Sequence, residues 1–159
     1  VSNAALQWID DHDRLLTRLA AMLAPNGTLS VHMPNRFENA SQLAIEAASA
    51  DPRWSAELKG VGLHRKSVLP ANWYVNKLHA LGFSVNAWET TYIHVLHGDN
   101  PALQWLKGTA LRPLLDRLAE TQKVAFLENL GQRLVQLYPP QGDVTLFPMP
   151  RLFFVAERE

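Results

Sequence analysis

Cysteine is absent from the 159 residues, and that removes disulfide frameworks, thiolate zinc sites, iron–sulfur clusters and cysteine nucleophiles together. Net charge is missing too. Fifteen Lys and Arg offset fifteen Asp and Glu, whereas a dedicated nucleic-acid binder usually carries a basic excess. No apolar run approaches the roughly 18 residues that a spanning helix needs. Neither a nucleic acid nor a membrane is therefore an expected partner. No charged-then-apolar leader opens the chain, so the cytoplasm is the expected compartment. No phosphate loop and no Gly-x-Gly-x-x-Gly occurs, and Gly60-Val61-Gly62 has no strand before it. A Gly-x-Ser-x-Gly elbow is also lacking. His94 and His97 stand three apart with no third ligand nearby, and read as structural or solvated groups rather than metal ligands.

What is present is globular. Hydrophobic residues make up 47% and charged residues 19% of the chain, enough to bury a core in one ordinary domain. The first residues, Val1-Ser2-Asn3-Ala4, lack a methionine and read as native sequence cut from a longer protein. Asp10, Asp11 and Asp13 then crowd a helix entry, where negative charge suits the dipole. Leu15, Leu16, Leu19, Ala20 and Leu23 follow as one apolar face. Pro25-Asn26-Gly27 turns the chain into Thr28–Met33, a strand. Ala40–Ala50 reads as helix and 51–66 as loop, with a basic cluster at His64-Arg65-Lys66 most simply solvated. A helix opens at Pro70 and closes at Gly82. Phe83–Val95 forms a long strand. Pro101–Leu106, the region around Leu111–Leu118 and Thr121–Leu137 are helical. A final strand region covers Val144–Phe147 and Leu152–Ala156, interrupted by Pro148 and Pro150.

Two segments are similar to the class I S-adenosylmethionine-dependent methyltransferases. Asn3-Ala4-Ala5-Leu6-Gln7-Trp8 with Asp11-His12 resembles the stretch after that superfamily's fourth strand. Leu23-Ala24-Pro25-Asn26-Gly27-Thr28-Leu29 resembles its Leu-x-Pro-Gly-Gly-x-Leu turn, with Asn26 replacing one glycine; Asn also accepts left-handed turns. Four further segments narrow the resemblance to the trans-aconitate 2-methyltransferases. They are Val31-His32-Met33-Pro34-Asn35, Thr90-Thr91-Tyr92-Ile93-His94, Gly108-Thr109-Ala110-Leu111-Arg112-Pro113 and Pro150-Arg151-Leu152-Phe153-Phe154-Val155-Ala156. The matches run in order along nearly the whole chain. The family's cofactor loop and its acidic ribose partner have no counterpart here, so the resemblance is to the C-terminal part of the enzyme.

The resemblance implies an α/β fold, the C-terminal portion of a Rossmann-like methyltransferase sheet, forming one domain over residues 1–159 with helical lid insertions about 36–67 and 99–138. It implies that Phe83–Val95 and Val144–Ala156 neighbour each other as a swapped antiparallel pair. It implies transfer of a methyl group from S-adenosylmethionine to a carboxylate of trans-aconitate or a similar small polycarboxylate, and a chain that is inactive alone for want of the cofactor loop. Two alternatives stand beside this: a malonyl-thioester carboxyl methyltransferase, and a non-catalytic fragment that pairs with a second copy through an exposed sheet edge.

No general base is expected, because a carboxylate is already ionised at neutral pH. A polyanionic substrate needs cations instead. Arg151, a charge inside an apolar strand, must face a partner, a cavity or water. Arg112 is the second candidate, with a solvated helix end as its other reading. Tyr92 and His94 alternate onto one strand face and could donate to a carboxylate. Met33 and Asn35 sit near a strand's C-terminal end, where α/β sheets bind ligands. The resemblance places Asn3 and Trp8 near the methyl donor, although Trp8 could equally be core. Trp88 and Trp105 read as packing residues.

Overall fold

The computed structural model describes residues 1–35, 39–61 and 68–158. His64-Arg65-Lys66 and Gly62 lie outside them. The described residues divide into two compact units, each built around its own apolar cluster.

The first unit takes in residues 1–37, 64–92 and 149–159. It opens with β1 (Ser2–Asn3) and a single 3-10 turn at Leu6–Trp8. Helix α1 (His12–Met22) follows, its first turn capped by the Asp11 carboxylate accepting the Arg14 N–H at 3.0 Å. Asn26 adopts φ +60° at the turn before β2 (Thr28–Pro34), the left-handed conformation that asparagine accepts in place of glycine. Helix α4 (Ala71–Ala80) leads through Gly82, at φ +83°, into β3 (Phe83–His97). The strand β4 (Val144–Arg158) ends the description.

The four strands form one sheet in the order β1-β2-β4-β3. β1 pairs parallel with β2, and β4 runs antiparallel to β2 in the register Val31↔Phe154, His32↔Phe153, Met33↔Leu152 and Pro34↔Arg151. β3 and β4 are neighbours, as the resemblance required. Alternation then sorts the side chains. Leu29, Val31, Met33, Leu152, Phe154 and Ala156 are buried with Leu16 and Ala20 of α1, Tyr74 and Leu78 of α4, and Phe83. Ser30, His32, Pro34, Arg151, Phe153 and Val155 fall on the opposite sheet face and are only part-buried.

β4 is continuous across both prolines, contrary to the interruption expected at Pro148–Pro150. The Pro150 carbonyl accepts the Asn35 N–H at 2.9 Å, so the polar groups of Pro150 face the β2 side just where β2 ends. β2 ends at Pro34, so the missing N–H of Pro150 falls at the limit of the β2 ladder and costs it little.

The second unit takes in residues 38–63 and 93–148. It holds α2 (Ala40–Ser49), α3 (Ser55–Leu58), α5 (Pro101–Lys107), α6 (Arg112–Leu115) and α7 (Glu120–Leu137). α3 lies in the stretch expected to be loop; Leu58 anchors it by burial. Trp54, Ile45, Phe126, Leu130, Leu134 and Phe147 are buried in this unit, with Trp54 edge-on to Phe126. Gly131 lets α7 approach α5, since a Cβ there would sit 2.8 Å from Asn100 Nδ2.

Candidate functional site

The open face of the first unit's sheet carries the densest polar and aromatic grouping. His32 of β2 stacks on Phe153 of β4 at 4.7 Å and 25°, and Phe153 stacks on Trp88 of β3 at 5.4 Å and 5°. The register explains the row: His32 and Phe153 are directly opposed, so their rings meet across the strands. Trp88, read from sequence as a packing residue, packs on Phe153 yet remains 43% exposed.

Asn3 tethers the far side of His32, its Oδ1 lying 2.5 Å from Nδ1. An amide oxygen only accepts, so the imidazole proton resides on Nδ1 and Nε2 keeps a lone pair. Arg151 lies diagonal to His32 on the same face, because it pairs with Pro34 two residues on. Partial burial, with the Arg151 charge adding to it, holds the His32 pKa below its ordinary value. The Arg151 side chain makes no hydrogen bond and no ion pair among the described residues. A part-buried guanidinium without a carboxylate is a ready anion partner. Asn35 donates Nδ2 to Glu89 Oε1 at 2.7 Å, and both residues are in phase with the core-facing positions of their strands rather than with His32 and Trp88.

The other sequence candidates fall elsewhere. Met33 is fully buried in the core of the first unit, on the face away from Arg151, because β2 continues through it and alternation turns it inward beside Val31. Tyr92 is half exposed on β3. His94 lies in the second unit, tilted against Trp105 at 4.9 Å, and Arg112 starts α6 there. Trp8 is 54% exposed. Arg151 and Asn3 are thus the candidates gathered on one face, joined by His32, Trp88 and Phe153, which sequence reasoning did not nominate as site residues, whereas Asn35 is in phase with Met33, towards the other face. The signal for His32 was available: it alternates with Ser30 and Pro34, out of phase with the apolar Leu29, Val31 and Met33.

At the end of β1, Gln7 donates Nε2 to the Ala4 carbonyl at 2.7 Å, which fixes the amide's orientation. Its Oε1 and the Ser2 hydroxyl are buried without hydrogen-bond partners. No group of three His, Asp or Glu among the described residues is arranged to hold a metal ion. No helix among them is long and apolar enough to cross a membrane.

No protein-family model matches the chain. Over 158 residues it is 40% identical to the trans-aconitate 2-methyltransferase of Methylobacterium nodulans, and over 159 residues 38% identical to that of Streptomyces avermitilis. The chain is related to the trans-aconitate 2-methyltransferases. These alignments take in 99% and 100% of this chain but 61% and 59% of the relatives, so the chain spans about three fifths of their length. Among solved structures, a candidate methyltransferase of Bacillus halodurans superposes with a TM-score of 0.54 at 11% identity, over 99% of this chain and 63% of that one. That likeness shows the fold: the strand order with β4 inserted between β2 and β3 belongs to the C-terminal portion of a class I methyltransferase sheet.

Proposed function

We propose that this chain is the C-terminal, substrate-carrying portion of an S-adenosylmethionine-dependent carboxyl methyltransferase acting on trans-aconitate or a similar small polycarboxylate. The observation that carries the reading is the unpaired Arg151 guanidinium beside His32, on a strand whose relatives bear that enzyme's name. S-adenosylmethionine supplies an electrophilic methyl group to an oxygen nucleophile. The chain's own residues bind and orient. Arg151 meets one carboxylate of the substrate with its two-pronged guanidinium. The stacked rings of His32, Phe153 and Trp88 give that end of the face a flat apolar floor that keeps water away from the remaining carboxylates. No side chain has to move a proton, because the nucleophile is ionised before it binds. Gln7 Oε1 and Ser2 Oγ, buried and unpartnered, suit the hydroxyl and ammonium donors of the methyl donor. Completing that site calls for the part of the relatives that this chain does not span.

The test joins the chain to the remaining two fifths of the Methylobacterium nodulans relative and follows methyl transfer by mass spectrometry. A monomethyl ester of trans-aconitate is expected. Selective esterification of a malonyl thioester would replace the polycarboxylate reading, and no ester from either acceptor would remove the methyltransferase reading. Arg151→Gln in the same protein should raise KM for trans-aconitate about 10- to 100-fold, the equivalent of roughly 1.5–3 kcal/mol for a charge-assisted contact. An unchanged KM would rule out Arg151 as the substrate anchor.

A second reading, self-association, is favoured by β3. Its 15 residues end the sheet order, and Trp88, Tyr92, Ile93 and Val95 are all substantially exposed on it. The opposite edge, at β1, is only two residues long. Light scattering that reports a dimer dispersed by Ile93→Lys would support this reading, and a monomer at high concentration would dispose of it.

A further inference from the structure

We infer that His32 and Arg151 together form a proton-coupled carboxylate site, in which His32 takes up one proton as a small polycarboxylate binds. The inference rests on the polycarboxylate reading above and adds to it a residue and a pH dependence. The geometry comes first. His32 and Arg151 stand diagonally across β2 and β4 on one sheet face, within reach of a single small ligand. Asn3 holds Nδ1, so Nε2 is the only nitrogen free to turn to a ligand, and it has no partner among the described residues. With its proton on Nδ1 alone, the neutral ring presents a lone pair at Nε2 and repels a carboxylate oxygen. Protonation at Nε2 converts that atom to a donor and adds a second positive charge to the face.

The charged and titratable groups about the ring are few. From β4 comes Arg151, which opposes protonation while the site is empty, as partial burial does more strongly. From β3 comes the uncharged Trp88, while Glu89 alternates to the other face, where Asn35 engages it. β1 contributes the uncharged Asn3. A bound carboxylate neutralises Arg151 and supplies the counter-charge that the imidazolium lacks, so both obstacles weaken at once. The protonated form is thereby favoured in the complex, and by linkage the complex is favoured at lower pH. Affinity should fall as pH rises through the histidine range, by up to about tenfold per unit for one linked proton.

The experiment titrates trans-aconitate into the intact chain by calorimetry in buffers of different ionisation enthalpy, and follows the His32 Cε1 proton by NMR with and without ligand. Uptake of a fraction of a proton near neutral pH is expected, together with an upward displacement of the His32 titration. His32→Gln should bind with little pH dependence and no uptake, and Arg151→Gln should weaken binding about 10- to 100-fold. NMR spectra showing folded dispersion for both variants keep the comparison valid. Binding without proton uptake, or with uptake that survives in His32→Gln, would overturn this inference and leave the polycarboxylate reading standing. Absence of binding at any pH would overturn both. Equal binding of inorganic phosphate would show a general anion site and overturn the assignment to carboxylates.

Discussion

At Tyr74 the hydroxyl accepts the Leu69 N–H at 3.1 Å and lies 2.5 Å from His12 Nδ1, while His12 Nε2 lies 2.9 Å from the Leu6 carbonyl. One consistent set of protons satisfies all three: Tyr74 donates to Nδ1, and Nε2–H donates to Leu6. Phenylalanine at position 74 would strand a buried imidazole nitrogen and a backbone N–H, so Tyr74→Phe should cost about 1–3 kcal/mol in urea denaturation. Burial also pushes the Tyr74 hydroxyl up to about 12. The folded state then holds its proton where the unfolded chain has lost it. The contribution is complete below about pH 10 and disappears as pH rises from there toward about 12, a loss that the phenylalanine variant should not show. The lowered pKa of His32 works in the other direction. Its contribution is present above the ordinary histidine value and is lost as pH falls below it. Arg151 was legible in the sequence because a charge in an apolar strand needs a reason. Met33 was nominated for its place near a strand end, although its phase with Leu29 and Val31 already turned it to the core.

Among the elements, α7 and β4 show what pattern reading can and cannot reach. The 3.6-residue stripe placed α7 within a residue of its observed start, because a long amphipathic helix announces its own period. The close crossing of α5 and α7 did not announce itself. Glycine in a helix is ordinarily a weakness that alanine repairs by about 1 kcal/mol, yet a Cβ on Gly131 would sit 2.8 Å from Asn100 Nδ2 and 3.2 Å from Leu103. It would also disturb the bond from Asn100 Nδ2 to the Gly131 carbonyl, 3.0 Å long. Gly131→Ala should therefore lower stability by about 1–3 kcal/mol, read from the melting temperature. In β4 the two prolines suggested a break, and the strand survives because Pro150 meets the β2 side only through its carbonyl, which accepts the Asn35 N–H just past the end of β2. Leu152 faces β2 where the ladder is intact. A proline there should unfold the first unit, visible as loss of the tight packing around Phe154 and Tyr74, which stack at 5.3 Å.

For the whole molecule, the strand order was foreseeable from the resemblance, since an antiparallel last strand slotted between its predecessors is a property of connectivity more than of any residue. Where the two units meet within β3 and β4 was not, because both strands contribute to each unit and nothing in their composition marks the boundary. Burial does mark it. In β4 the buried positions are Thr145 and Phe147 before the prolines and Leu152, Phe154 and Ala156 after them, an odd-to-even switch of parity. The two units also divide the nominated residues, with Arg151, Asn3 and Asn35 in the first and Arg112 and His94 in the second. The most direct measurement is a pair of calorimetric titrations into the 159-residue chain, one with trans-aconitate and one with S-adenosylmethionine. Heat from trans-aconitate, with affinity about 10- to 100-fold weaker in Arg151→Gln, and none from S-adenosylmethionine, is the result predicted for a chain that carries the carboxylate-binding face without the rest of the methyl-donor site. Tight binding of S-adenosylmethionine with no response to trans-aconitate would contradict it.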